Sequence, residues 1–253
     1  MDLKHDLETN GKILYWLSRK RWYSFLRMQK KVAPKINNII TVSKSSKRDI
    51  VNDFKCNDVN ISVVHNGLDT NIFKPHEDIK RHKYRLITTA SADVPLKGLD
   101  FTLQAIAELN HNIDIELTVI GKMKEGGHTS RLIKKLNLNK VVNFKTNLTK
   151  EEISIEYAKS SVAIVSSLYE GFGYPVIEAM SCATPLIAAR TSSIPELVGD
   201  HATLIESRSS TALSGAIKDV FNNYDEYKTK AYEGRRHVIR HFNWNKISKE
   251  YED

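Results

Sequence analysis

The eleven residues from Leu168 to Glu178 hold the densest chemistry in the chain: Leu-Tyr-Glu-Gly-Phe-Gly-Tyr-Pro-Val-Ile-Glu. Glu170 and Glu178 bracket Gly171, Gly173 and Pro175. Glycine lets a backbone approach a ligand closely. Proline suits the first turn of a helix, whose N–H groups and positive dipole end attract anions. A carboxylate accepts two hydrogen bonds and so matches a pair of vicinal hydroxyls. Together these features suit a ligand with sugars at both ends and phosphate between them. The pair alone also fits a plainer arrangement, a tight turn with Glu170 in solvent and Glu178 on an exposed helix face.

Such a loop needs a rigid frame, and the sequence patterning supplies one. From residue 84 onward, short β-branched runs alternate with helical stretches. Residues 84–89 (YRLITT) read as a strand, and Leu99, Leu103, Ile106 and Leu109 mark one face of the helix that follows. Residues 116–120 (ELTVI) form the next strand, which stops at Gly121. A helix is expected over 129–137 and a strand over 141–144. Thr149 followed by Glu152 makes a capping box that opens another helix. Residues 161–165 (SVAIV) read as a strand buried on both faces. The Glu170 loop leaves its C-terminal end, where open α/β sheets place their ligands. A helix opening at Tyr174–Pro175 and a strand over 185–189 (PLIAA) follow. The alternation predicts a parallel sheet with helices on both faces. Beyond residue 206, three polar helices are expected over 209–223, 225–241 and 243–251.

Ahead of this frame, residues 39–42 and 61–64 read as two strands around a helix over 45–54. His65-Asn66-Gly67 signals a turn, and Phe73-Lys74-Pro75-His76 reads as a linker. A section this small exposes a sheet edge unless something else covers it. Residues 1–75 are therefore expected to be the remnant of a second α/β domain. Residues 76–235 are expected to form a Rossmann-type domain, and 236–253 a terminal helix.

Composition narrows the function classes. The 253 residues are 41% hydrophobic and 27% charged, which is ordinary for a globular chain. Cys56 and Cys182 lie far apart without metal-ligand spacing, consistent with a reducing cytoplasm. The opening residues, MDLKHDLETNGK, carry charge where a signal peptide needs an apolar segment. Net charge is +8, and ten Lys or Arg with no acid run from Arg19 to Arg48. A solvated helix face is the simpler reading of that stretch. Trp16, Trp22, Tyr23 and Phe25 beside the charges make an anionic membrane surface, over residues 16–48, a second candidate partner. The aromatic-and-glycine pattern of an RNA-binding sheet is missing, so nucleic acid is not expected.

Other chemistries fit poorly. Gly171-Phe-Gly173 has Val176 where a dinucleotide fingerprint needs its third glycine. The loop Gly121 to His128 has P-loop spacing, but Gly127 and His128 replace the required Lys and Ser/Thr. His237 and His241 share a helix face without a carboxylate in a hydrolase arrangement, so a surface face is expected rather than a metal site. His65, beside the hinge, reads either as a substrate contact or, at least as readily, as a satisfied turn residue, and Trp244 as a packing residue.

The loop and its surroundings resemble the Glu-x7-Glu signature of family-4 retaining glycosyltransferases, which have the GT-B fold. Ile40-Thr41-Val42-Ser43 resembles the end of that family's N-terminal domain, and Asn66-Gly67-Leu68-Asp69 with Phe73 and Pro75 its interdomain hinge. Lys97-Gly98 resembles its phosphate-binding pair, and Val119-Ile120-Gly121 its strand end beneath the diphosphate. Glu178-Ala179-Met180, Thr184-Pro185, Ser193-Ile194-Pro195-Glu196 and Gly199-Asp200 continue the pattern. The resemblance covers residues 39 to 200. It implies transfer of a sugar from a nucleoside-diphosphate-sugar, with anomeric retention and no metal or other cofactor, in polysaccharide or glycolipid assembly at or near the inner membrane face. Glu170 is then the catalytic carboxylate near the reacting carbon. Glu178 is expected to hold the ribose and Lys97 the diphosphate. Gly121, Gly171, Phe172, Gly173 and Tyr174 line the donor, and the backbone near Leu148 selects the base.

This sequence departs from the family at several positions. Ser91 stands where the family usually has arginine six residues before the lysine, leaving Lys122, Lys124 or Arg190 as substitutes. Thr146 and Ala183 replace glycines, and Ala183 costs little only where its φ is negative. Most of the family's N-terminal acceptor domain has no counterpart here. The acceptor, a glycan or lipid-linked sugar, then requires a further domain or a separate chain. The alternative function is a non-catalytic module that binds a nucleotide-sugar or a partner.

Overall fold

The computed structural model describes residues 25–252 apart from Ala92, His111 and Asn112. Trp16, Trp22 and Tyr23, with the basic residues Arg19 to Arg21, lie outside the described residues. The described residues fall into two units that divide between Val63 and Val64.

In the first unit, β1 (Ile39–Thr41) pairs in parallel with β2 (Ile61–Val63), Ile39 opposite Ile61. α1 (Lys44–Phe54) connects them, opened by Ser43, whose Oγ accepts the Ser46 N–H at 3.0 Å. Parallel strands are normally covered on both faces, yet Ile40 of β1 is 52% exposed, and Val59, in the 3-10 turn just before β2, is 82% exposed.

In the second unit six strands lie parallel: β3 (His82–Thr89), β4 (Glu116–Ile120), β5 (Val142–Lys145), β6 (Ser160–Val165), β7 (Leu186–Ala189) and β8 (Thr203–Ile205). Their spatial order is β5-β4-β3-β6-β7-β8. This is the Rossmann order, in which the direction of winding reverses between the first and fourth strands, here β3 and β6. Every residue of β6 is buried, as its unbroken apolar and small-residue run requires.

Strand side chains alternate between two helical layers. Leu86, Val162 and Ile164 join one apolar cluster with Leu103 and Ile106 of α2 (Leu99–Leu109), Ile133 of α3 (His128–Lys135), and Leu213 and Ile217 of α7 (Ser210–Asn222). Elsewhere α5 (Tyr174–Ser181) packs against α8 (Tyr224–His241). Between β5 and β6 runs α4 (Lys150–Lys159), opened by the expected Thr149/Glu152 capping box. A buried ion network pins α4 to the sheet. Glu156 receives Arg85 of β3 at 2.6 Å, Lys145 of β5 at 2.9 Å and Lys159 at 3.1 Å. Burial opposes ionisation of Glu156, yet Lys145, Lys159 and Arg85 outweigh it and hold the carboxyl below its usual range.

The short helix α6 (Ile194–Val198) and the edge strand β8 were not apparent as elements in the sequence. β8 is only half-buried throughout, so it lacks the apolar run that marks β6. α9 (Trp244–Glu252) closes the chain. Residues 65 to 75 pack with the second unit. Leu68 N–H donates to Phe242 O at 2.7 Å, and Asn243 Nδ2 donates to Thr70 Oγ1 at 3.0 Å. The Trp244 ring comes so close to Gly67 that a Cβ there would lie 2.4 Å from Trp244 Cδ2. His65 sits between Phe172 and Phe242, with ring centroids 6.1 and 5.4 Å away. His237 is not simply on a surface face. It is half-buried, and its ring lies 5.1 Å from His201 and 4.7 Å from His241.

Candidate functional site

Two loops leave the sheet at the switch point, one after β3 and one after β6, and the sequence stitches them together. The first ends in a single 3-10 turn, Pro95–Lys97, which Gly98 terminates at φ 64°. A Cβ on Gly98 would fall 2.0 Å from Ser166 O, so only glycine lets the two loops touch here. Ser166 Oγ donates to Gly98 O at 2.9 Å, and Leu168 N–H donates to Leu96 O at 2.8 Å.

Across this seam Lys97 Nζ donates to Glu170 Oε1 at 2.8 Å. Ser167 Oγ donates to the same oxygen at 2.7 Å. The Glu170 backbone is held from the far side. Its N–H donates to Ser192 Oγ at 2.8 Å, and its carbonyl accepts from Ser193 Oγ at 2.9 Å. Ser193 Oγ also bonds Phe172 O. At 9% exposure Glu170 is thus an oriented, ion-paired carboxylate rather than a solvated turn residue. An ammonium has three donors, so Lys97 can keep this pair and still meet an anion.

Gly173, at φ 116°, caps α5, and Pro175 stands in its first turn. Pro175 has no N–H and Val176 N–H bonds Gly173 O at 3.0 Å, so the positive character of that end comes from the helix dipole and the backbone ahead of Pro175. Phe172 is buried, its ring 5.5 Å from that of the exposed Tyr174. Gly171 is half-buried in the same loop. Gly121 ends β4, where a Cβ would meet Ala90 O at 2.2 Å. Leu148 is half-buried one residue before the Thr149 cap.

Glu178 is not on an exposed helix face either. It is half-buried, and its Oε2 accepts from the Tyr157 hydroxyl of α4 at 3.3 Å. Burial pushes its carboxyl up to about 7, against the opposing pull of Tyr157 and Lys150. The structure therefore brings Lys97 to Glu170 and Phe172 to Tyr174, while Glu178 turns to a partner that was not expected. Tyr157, Ser167 and Ser192 left little trace in the sequence. An aromatic residue in a helix usually signals packing, and serines in loops are common.

The departures from the family pattern also have positions. Ser91, Lys122, Lys124 and Arg190 are all exposed. Ala183 adopts φ 48°, so the condition under which its replacement of glycine would cost little is not met. Arg81 offsets part of this. Its guanidinium donates to Ala183 O at 2.9 Å, to Cys182 O at 3.1 Å and to Tyr157 O at 3.0 Å, joining the C-terminal ends of α4 and α5. The loop with P-loop spacing instead opens α3. Thr129 N–H donates to Asp93 Oδ1 at 2.8 Å, and Gly127 leaves room for that carboxylate. A separate open depression of about 380 Å³ is lined by Arg190, Asp200, Leu204 and Lys230 among others.

Comparisons with known proteins bear on this geometry. The chain is 37% identical over 232 residues to the MMP alpha-(1->4)-mannosyltransferase of Mycolicibacterium hassiacum, covering 90% of this chain and 56% of that protein. It is 25% identical over 196 residues to the GDP-mannose-dependent alpha-(1-6)-phosphatidylinositol monomannoside mannosyltransferase of Mycolicibacterium smegmatis, covering 70% of this chain and 51% of that protein. Among solved structures, sucrose-phosphate synthase from Thermosynechococcus elongatus superposes with a TM-score of 0.80 at 22% identity, over 91% of this chain and 60% of that one. Anabaena Alr3699/HepE in complex with UDP and glucose gives a TM-score of 0.80 at 20% identity, over 90% of this chain and 65% of that one. These structural likenesses show the fold, the parallel-sheet α/β architecture of GT-B glycosyltransferases. The family model described as glycosyl transferases group 1 matches residues 71–237, more than half of the sequence, and the chain belongs to that family.

Proposed function

We propose that the chain supplies the donor-binding half of a retaining glycosyltransferase that uses a nucleoside-diphosphate-hexose. The observation that carries the proposal is the Lys97–Glu170 pair at the sheet's switch point, beside the N-terminus of α5. In this reading the diphosphate lies against Lys97 and the first turn of α5. The leaving group develops negative charge there, and a fixed ammonium and helix dipole stabilise it without a metal. Glu170, released in part from Lys97, faces the sugar hydroxyls near the anomeric carbon. Glu178 accepts the ribose hydroxyls, and the backbone near Leu148 meets the base. The two relatives named as mannosyltransferases make GDP-mannose the first donor to try, and the neighbour solved with UDP makes UDP-glucose the second.

The acceptor is a glycan or a lipid-linked sugar, bound by a domain that the second unit does not contain. In the first unit, the helical stretch over residues 25–32 exposes Phe25, Met28 and Val32 beside Arg27, Lys30 and Lys31. That arrangement supports contact with an anionic membrane at the cytoplasmic face. No helix among the described residues is long and apolar enough to cross a membrane.

A calorimetric screen of the chain with UDP, GDP and ADP, followed by GDP-mannose and UDP-glucose, tests the proposal. One diphosphate nucleotide should bind and the others should bind more weakly. Equal absence of binding for all of them contradicts it. Binding without transfer, even with an acceptor-binding domain supplied, selects the non-catalytic module instead.

A further inference from the structure

Tyr157 is the largest of the fully buried side chains, yet its hydroxyl is not spent on packing. It donates toward Glu178 Oε2 at 3.3 Å and lies 3.4 Å from Pro175 O in the first turn of α5. Thr89 Oγ1, on the last residue of β3, is 3.3 Å from the same hydroxyl. A phenol has one proton and can accept another hydrogen bond. With that proton directed at Glu178, Thr89 donates to the phenol oxygen. The relay runs from the end of the central strand, through α4, to the carboxylate on α5.

The phenol itself is rigidly placed. Its helix is fixed by Glu156, the preceding residue, through Arg85 and Lys145. Its own carbonyl is held by Arg81 and by Thr184 Oγ1, at 3.0 Å each. Burial first, and the neighbouring Glu178 second, push the phenol's titration well above its ordinary range, so it stays a donor at any working pH.

We propose that Tyr157 is the positioning residue for Glu178, its hydroxyl holding that carboxylate ionised and aimed for the ribose of the donor. The inference rests on the ribose-binding role given to Glu178 above. It goes beyond that role by making donor affinity depend on pH through a residue that never touches the ligand. The groups facing Glu178 are few. Tyr157 and Lys150 come from α4, Tyr174 from its own helix, and Cys182 from the end of that helix. Burial pushes the Cys182 thiol up to about 12, so it does not titrate in the same window. With the Glu178 carboxyl at about 7, ionised Glu178 is lost as pH falls below neutrality.

The test is calorimetric titration of the full chain with GDP-mannose and UDP-glucose between pH 6 and pH 9, because a free nucleoside diphosphate has a terminal phosphate that titrates at about pH 6 and both phosphates of these donors are esterified. Wild-type affinity for the preferred donor should drop as pH falls through about 7. Tyr157→Phe should move that midpoint upward by about one pH unit, the scale of a hydrogen bond lost to a charged group. Affinity at the alkaline end should stay within about twofold, because there the carboxylate is ionised in both proteins. Thr89→Val should move the midpoint the same way by less, and serves if the phenylalanine variant folds poorly. Glu178→Gln should remove the pH step altogether. If Glu178→Gln leaves both affinity and pH profile unchanged, the ribose role fails and the relay fails with it. If Glu178→Gln abolishes the step but both Tyr157→Phe and Thr89→Val leave the midpoint in place, the ribose role stands and the relay alone is overturned.

Discussion

Glu170 and Glu178 sit on one short stretch of chain in opposite surroundings. Glu170 is the less exposed of the two, yet it has a full set of partners: an ammonium at 2.8 Å, a serine hydroxyl at 2.7 Å, and two more serines on its backbone. Glu178 is half-buried and has one phenol at 3.3 Å for its carboxylate, and burial pushes it up to about 7. Partners, more than exposure, separate the two carboxylates: an ammonium and a serine hydroxyl hold Glu170 in place, while burial with a single phenol leaves Glu178 raised. One end of the loop is held by an ion pair before a ligand arrives. The other is held by one phenol and ionises as pH rises through about 7.

The largest effect should come from breaking the charged end. Lys97→Ala removes the ammonium from Glu170 and from the proposed diphosphate, and should lower transfer by about 10²–10³-fold, measured with donor and acceptor domain supplied. Gly98→Ala tests the seam beneath that end. Its positive φ and the 2.0 Å approach to Ser166 O should together cost about 3 kcal/mol in urea denaturation. At the other end, the folded state raises the Glu178 carboxyl above its unfolded value. Folding therefore bears no penalty below about pH 4.5, and the penalty grows as pH rises until it is complete above about 7. Glu178→Gln should thus stabilise the ligand-free chain at pH 8 by about 1–2 kcal/mol, with little gain at pH 4.5. Stability gained together with nucleotide affinity lost would mark a site strained for function. The smallest effect belongs to the far end of the same helix. Ala183→Gly should add about 0.5–1 kcal/mol, because φ 48° favours glycine.

The sequence made much of this frame legible, for physical reasons. β6 was visible because burial on both faces forces an unbroken run of small and apolar residues. α4 was visible because its capping box is a local hydrogen-bond device with fixed spacing. β8 escaped because an edge strand half open to solvent carries no such run, and α6 because five residues are too few for a period. At the site, the glycines, Pro175 and both glutamates could be read from their types and spacing. The Lys97–Glu170 contact joins residues that only the strand order of the sheet brings together. The Tyr157 hydroxyl was hidden for the same reason, since its partners come from β3 and α5. The left-handed backbone at Ala183 left no mark, because alanine does not announce a positive φ.

The most direct test of the central claim is a crystal structure of the chain with GDP-mannose or UDP-glucose bound. The account predicts a diphosphate on Lys97 and the first turn of α5, with the ribose on Glu178 and the hexose beside Glu170. Nucleotide density placed elsewhere, such as in the depression between Arg190 and Lys230, would contradict it.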